Sequence, residues 1–211
     1  MNNMQKAGGM GALLLAVSFV LLIVANVVIP PSLGITGEAD WGNPAKLSAV
    51  ASAARIIGLI QILFAAAFTL TAPGLNDWLQ ERSPNLMRIA TASGLGGAVL
   101  FLASGMFNFA AAPALASLYA QDPAAVTTAD LAVAGGVADA LITAAIFAAG
   151  WWALLASWAG LQGGLPKILS YLGLLFGALG ILSFAIPPFN PLAALFGIVW
   201  SAWLGIVLRR S

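Results

Sequence analysis

The sequence predicts an all-α fold, a polytopic transmembrane helical bundle of six transmembrane helices with the N-terminus and the C-terminus both cytoplasmic. Three observations predict it. Of 211 residues, 61% are apolar and 7% charged, whereas a soluble domain carries roughly 25% charged residues. Apolar runs of about 20 residues, the length that crosses a bilayer, recur along nearly the whole chain. With six spans, Lys6, Arg82, Arg88, Lys167, Arg209 and Arg210 fall on the side of the termini and only Lys46 on the other, a bias that marks the cytoplasmic face. Trp78, Trp151, Trp152, Trp158, Trp200 and Trp203 fall near that same face, where indoles anchor at headgroup level.

Punctuation residues set the elements, read as one membrane domain over residues 1–211. The first helix spans 9–29 and stops at Pro30 and Pro31, since proline lacks the amide proton a continuing helix needs. Its apolar run is about twice the core of a signal peptide, so it reads as retained. Asn43 and Pro44 open a second helix over 44–72 as cap and first-turn proline, and Pro73 with Gly74 ends it. Ser83 and Pro84 repeat that start for a third helix over 84–109, followed by a stretch, 110–126, long enough for a short surface helix. Thr127 with Asp130 resembles a capping box opening a fourth helix over 128–160. Gly163 and Gly164 form a tight turn before Pro166 and a fifth helix over 166–186, stopped by Pro187 and Pro188. Asn190 and Pro191 open the sixth, 191–208. The three hairpins share little else, so an inverted repeat is not supported.

The same composition narrows the function. A net charge of +1 spread thinly gives no basic stripe for phosphates, so nucleic acid is not an expected partner. With no cysteine and no histidine, thiolate and imidazole chemistry, haem ligation and the usual zinc sites are not available. No HExxH, GxSxG or pair of intramembrane carboxylates occurs. Catalytic, metal and cofactor residues are therefore expected to be absent.

Two charges interrupt the apolar runs: Arg55 in the second helix and Asp139 in the fourth. A charge near the bilayer centre costs roughly 2.5–3.5 kcal/mol, so each calls for a partner, a wet cavity or a role. Counted from Ser48 and Asp130, they lie about 10 and 14 Å inward at 1.5 Å per residue. Small neighbours three and four positions away (Ala51, Ser52 and Gly58; Gly135 and Gly136) point both toward the interior. The expectation is an Arg55–Asp139 ion pair, read as a pin between two helices or as the floor of a polar pocket; alternatively, Arg55 snorkels to the interface. Asn26, Asn108 and Ser183 are candidates to line that pocket, or simply to bond backbone near helix ends. Gln61 is expected to hydrogen-bond between helices, and the glycines of the fifth and sixth helices to pack within the chain.

The layout resembles a family of uncharacterised bacterial six-helix membrane proteins of about this length. Three segments carry the resemblance: the basic entry from Lys6 to Leu15, Arg55 followed by Gly58, and the run LPKILSYLGLLFGALGIL from Leu165 to Leu182. It implies a membrane fold and no assigned activity. The expected function is that of a non-enzymatic protein of the bacterial inner membrane, a structural or accessory subunit or a binder of lipid or another apolar ligand. Membrane lipids, other membrane subunits or a further copy are the expected partners. The alternative is a small transporter or channel-like protein with an outward-facing pocket around Arg55 and Asp139.

Overall fold

The computed structural model describes residues 3–186 and 189–210, and among these every regular element is helical. Six long helices follow one another: α1 Asn3–Val27, α2 Leu47–Leu79, α3 Pro84–Gln121, α4 Thr128–Leu161, α5 Lys167–Leu182 and α6 Phe189–Arg210. Each packs on the next in sequence and α6 packs back on α1, so the six close into a ring. All but α5 are long and apolar enough to cross a membrane; α5, with 16 residues, spans about 24 Å.

Caps behave as the side-chain chemistry requires. Thr127 accepts from the Asp130 amide while the Asp130 carboxylate accepts from the Thr127 amide, a complete capping box. Asn43 accepts from the Ala45 amide at the head of the 3-10 turn Pro44–Lys46. Ser83 does not cap α3; its hydroxyl bonds Gln162 in the turn before α5. That turn is made by Gly163 and Gly164 at φ 124° and 118°, the left-handed region that favours glycine. Its Gly164 carbonyl accepts from the Trp78 indole at 2.9 Å, tying the ends of α2 and α4 together.

Two expected stops are overturned. Pro73 lies inside α2, which continues to Leu79, and Pro113 lies inside α3, which continues to Gln121 and absorbs the expected surface helix. An interior proline removes one backbone bond; Pro73 lies between buried Ala72 and Gly74, and beyond Pro113 the side chains of Leu115, Ala116 and Tyr119 pack on the Leu47–Val126–Leu131 cluster, which holds the remaining turns. The first helix starts earlier than expected, at least from Asn3. The fifth is shorter, its last turn closed by the Ser183 amide on Leu179 O. The expected stop at Pro187 and Pro188 lies outside the described residues.

The axis of the ring is filled by seven aromatic side chains, with every helix contributing. Phe19 meets Phe64 at 4.8 Å, Phe64 meets Phe101 at 5.0 Å, and Phe101 meets Phe68 at 5.6 Å. Phe68 meets Trp152 at 5.1 Å and Trp152 meets Trp200 at 5.3 Å. Phe176 then joins Trp200 at 5.6 Å to Phe19 at 5.7 Å, closing the circuit. Most contacts are edge-to-face or offset, the geometries that the ring quadrupole favours. Trp152 and Trp200 are thus fully buried, which corrects their expected place in an interfacial belt; Trp158 and Trp151 are exposed as that belt requires.

Between neighbours the backbones touch at glycines. Gly8 of α1 lies against Gly74 of α2, Gly58 of α2 against Gly105 of α3, and Gly150 of α4 against Gly177 of α5. Gly173, Gly197 and Gly205 also pack inside the chain, as their small-residue spacing leads one to expect. Beyond the main core, two separate clusters lie toward the other end: Ile35 with Val50 and Ala53, and Leu47 with Val126 and Leu131. They tie the segment after α1 and the far ends of α2, α3 and α4 into a small cap.

That cap carries an ion pair. Lys46 lies 2.8 Å from Asp40 and also donates to Gly34 O at 2.7 Å, while Asp40 accepts from the Thr36 amide at 2.8 Å. The Lys46 hydrogen bond, then that of Thr36, hold the Asp40 carboxyl down to about 2 from 3.8. A depressed folded value stabilises above the unfolded value and the contribution disappears as pH falls through the folded one. The loop 33–43 is therefore expected to resist proteolysis down to about pH 4 and to loosen between about pH 4 and pH 2. In Lys46→Gln, limited proteolysis should find it loosened at neutral pH already.

Candidate functional site

The structure does not bring Arg55 and Asp139 together. Both are exposed, and neither has an ion-pair partner among the described residues. The reason is the order of the helices: α3 lies between α2 and α4, whose backbones stay apart and which meet on the axis through Phe68 and Trp152. Gly58 turns toward α3, against Gly105 and Asn108; Arg55, a sixth of a turn round from it, points outward with exposed Ser52, Ile56 and Leu59. On α4 the small residues meant to signal an interior face do the opposite, since a Cβ at Gly135 or Gly136 would meet nothing within 4 Å.

The pocket expected around that pair is likewise not assembled. Asn26 is exposed and donates to Leu22 O at 2.8 Å. Ser183 is buried and donates to Gly180 O at 2.8 Å. Both satisfy their own helices, the alternative role the sequence offered them. Only Asn108 engages another helix: its side-chain amide donates to Gln61 Oε1 at 3.0 Å, and Ser104 donates to the same oxygen at 3.2 Å. Gln61 and Ser104 are buried, so this network pins α2 to α3 one turn below the Gly58–Gly105 contact.

Sequence reasoning missed a set of buried polar atoms. The hydroxyls of Ser157, Ser170 and Ser201 and the indole nitrogens of Trp152 and Trp200 are buried without a protein partner. Helical hydroxyls elsewhere bond back to the preceding turn, as Ser18 does to Leu14 O and Thr71 to Ala67 O; these three do not. Gly173 brings two of them together, because its missing Cβ is the space into which Ser157 Oγ and Trp200 Nε1 crowd. No charge, motif or cap marks serines of this kind in a sequence; only their burial in the folded chain does. Buried donors without partners ask for water or a ligand.

Shallow apolar grooves line the outside of α1. One runs between Met10, Leu13, Leu14 and Val17 and Leu70 of α2, with Arg209 at its end.

An all-α ring with an apolar exterior, an aromatic axis and five helices of membrane-crossing length is the architecture of an integral membrane protein. A family model described as a domain of unknown function, DUF4386, matches residues 10–208, and the chain belongs to that family. No curated protein and no solved structure matches it.

Proposed function

We propose that the chain is a non-enzymatic, six-span protein of the bacterial cytoplasmic membrane, with both termini cytoplasmic, serving as a structural or accessory subunit in contact with lipid. The observation that carries this reading is the closed circuit of seven aromatic rings, to which all six helices contribute. Such an axis holds the helices together and would have to come apart for a solute to pass along it.

Spacing supports the six-span placement. Lys6 to Asn26 and Arg88 to Asn108 are each 20 residues, and Asn190 to Arg209 is 19, about 30 Å of helix and the thickness of a hydrocarbon core. Measured from Trp158, Asp139 lies 19 residues away, and measured from Trp78, Arg55 lies 23. On this placement both charges sit at the outer rim rather than deep in the bilayer, and the small cap lies outside it. The groove ending at Arg209 suits an acyl chain with an anionic headgroup at the cytoplasmic edge.

One observation favours a second reading, a small transporter or channel: the unpartnered Ser157 hydroxyl and Trp200 indole beside Gly173, between α4, α5 and α6, would suit a passing polar solute. The chain has no cysteine, so Ser157→Cys gives a single reporter. In intact membranes it is expected to stay unlabelled by water-soluble thiol reagents from either side, and reconstituted vesicles to leak no faster than empty ones. Labelling together with solute flux would replace the structural reading by transport. Tags at the two ends should both report the cytoplasm, and opposite reports would end the six-span placement.

A further inference from the structure

We propose that the seam between α1 and α6 holds one anionic phospholipid of the cytoplasmic leaflet, with an acyl chain along α1 and the phosphate between Arg209 and Lys6. Four observations lead there.

First, two grooves on the outside of α1 share Val17 and run end to end. One carries Met10, Leu13 and Arg209, the other Val20, Leu21 and Ile198 of α6. Second, their joint length is that of one leaflet. Arg209 packs beside Gly9, and Leu21 lies twelve residues further along α1, about 18 Å of helix against about 15 Å for half a hydrocarbon core. An acyl chain whose headgroup lies at Arg209 fits the groove from its mouth to the midplane.

Third, charge stands only at the mouth. A Cβ at Gly9 would lie 2.6 Å from Arg209 Cγ, so the missing side chain seats the stem of the arginine against α1. Lys6 lies four positions before Met10 and therefore on the same outward stripe, one turn nearer the cytoplasm. Both cations are exposed and without an ion-pair partner among the described residues. The acids of this end, Asp77 and Glu81, belong to α2 and the loop after it, on the opposite flank of α1. Fourth, α1 and α6 are the first and last helices, and their contact closes the ring; a lipid chain lying along both holds that closure. A second copy does not suit this face. A two-fold axis along the bundle keeps height unchanged, so it would set the two cations against their own counterparts, whereas a phosphate accepts from both.

Each basic side chain beside an anionic headgroup is worth about a fivefold preference, so the two together give about 25-fold. In an equimolar mixture of phosphatidylglycerol and phosphatidylcholine with the same acyl chains, the full-length protein in neutral detergent is expected to retain the former by that factor, read by native mass spectrometry. Phosphatidylglycerol should also raise the melting temperature, since a ligand of the folded chain stabilises it. Arg209→Gln and Lys6→Gln should each lower the preference about fivefold, and the double variant should abolish it. Arg88→Gln, which removes a cation of the same membrane face on α3, should leave it unchanged. Val17→Trp plugs the groove where its two parts join and should abolish retention; Val17 is exposed, so the melting temperature without lipid should not fall. Glycerol phosphate, the headgroup without chains, should displace nothing.

Equal retention of the two lipids, a preference that survives the double variant or falls as far in Arg88→Gln, undiminished retention by Val17→Trp, or displacement by glycerol phosphate would each overturn the proposal. Quantitative disulfide linkage of Val20→Cys copies in intact membranes would place a second copy in the groove and do so too. The inference rests on the six-span reading with cytoplasmic termini, whose failure would appear in the terminal tags, whereas failure of the lipid site leaves those tags unchanged.

Discussion

Trp200→Ala is expected to destabilise the bundle by about 3–5 kcal/mol. Trp200 has no exposed surface. Its ring meets Trp152 and Phe176, and its indole nitrogen fills the space beside Gly173. When the helices of a membrane bundle separate they remain in an apolar solvent, so water exclusion adds little. The loss is the cavity left among rings that cannot all move inward together, because their circuit is closed through six helices. Exposed Trp158, at 55%, supplies the control: Trp158→Ala should stay within about 0.5 kcal/mol. Unfolding of the two purified variants in mixed detergent and denaturing detergent measures the difference. Equal stabilities would show that the aromatic axis does not hold the fold.

The contrast between these two tryptophans also shows what the sequence discloses. Hydropathy reveals a span because each residue adds its own transfer free energy, and helix starts at Pro84, Thr127 and Pro166 are legible because a cap acts over three residues. Which way an indole points depends on five other helices, so Trp152, Trp158 and Trp200 look alike until the ring is closed. The same limit explains the candidate site. Arg55 and Asp139 were placed by the premise that small neighbours mark an interior face. That premise holds for Gly58, which meets Gly105, yet Gly58 lies off to one side of Arg55 and commits it outward. At Gly135 and Gly136 the premise fails within the chain altogether. Pro73 and Pro113 mislead for a related reason, since their local cost is outweighed by packing contributed from elsewhere in the sequence. Gln61 was legible because an amide in hydrocarbon must bond to another helix whichever helix that is.

Gly74→Val is expected to be about as damaging as the loss of Trp200, from the opposite cause. A Cβ at Gly74 would run into Gly8 Cα and come within 2.9 Å of Gly8 N and Met4 O. These are backbone atoms, so no rotamer change relieves the overlap, and α1 must move off α2 along its first two turns. Valine adds two further carbons in a rotamer the helix restricts. Overpacking of this kind costs about 1–3 kcal/mol or more, and here it spreads, because α1 also closes the ring against α6 through Gly9 and Gly205. Two effects oppose each other in Gly74→Ala, a gain of up to about 1 kcal/mol in helix propensity and the clash with Gly8. Gly136→Ala has the gain alone, since nothing lies within 4 Å of its Cβ position. Measured in detergent on the dispersed protein, Gly136→Ala should be neutral or stabilising, Gly74→Ala destabilising and Gly74→Val more so. If all three instead follow helix propensity, the backbone contact between α1 and α2 is not part of the fold.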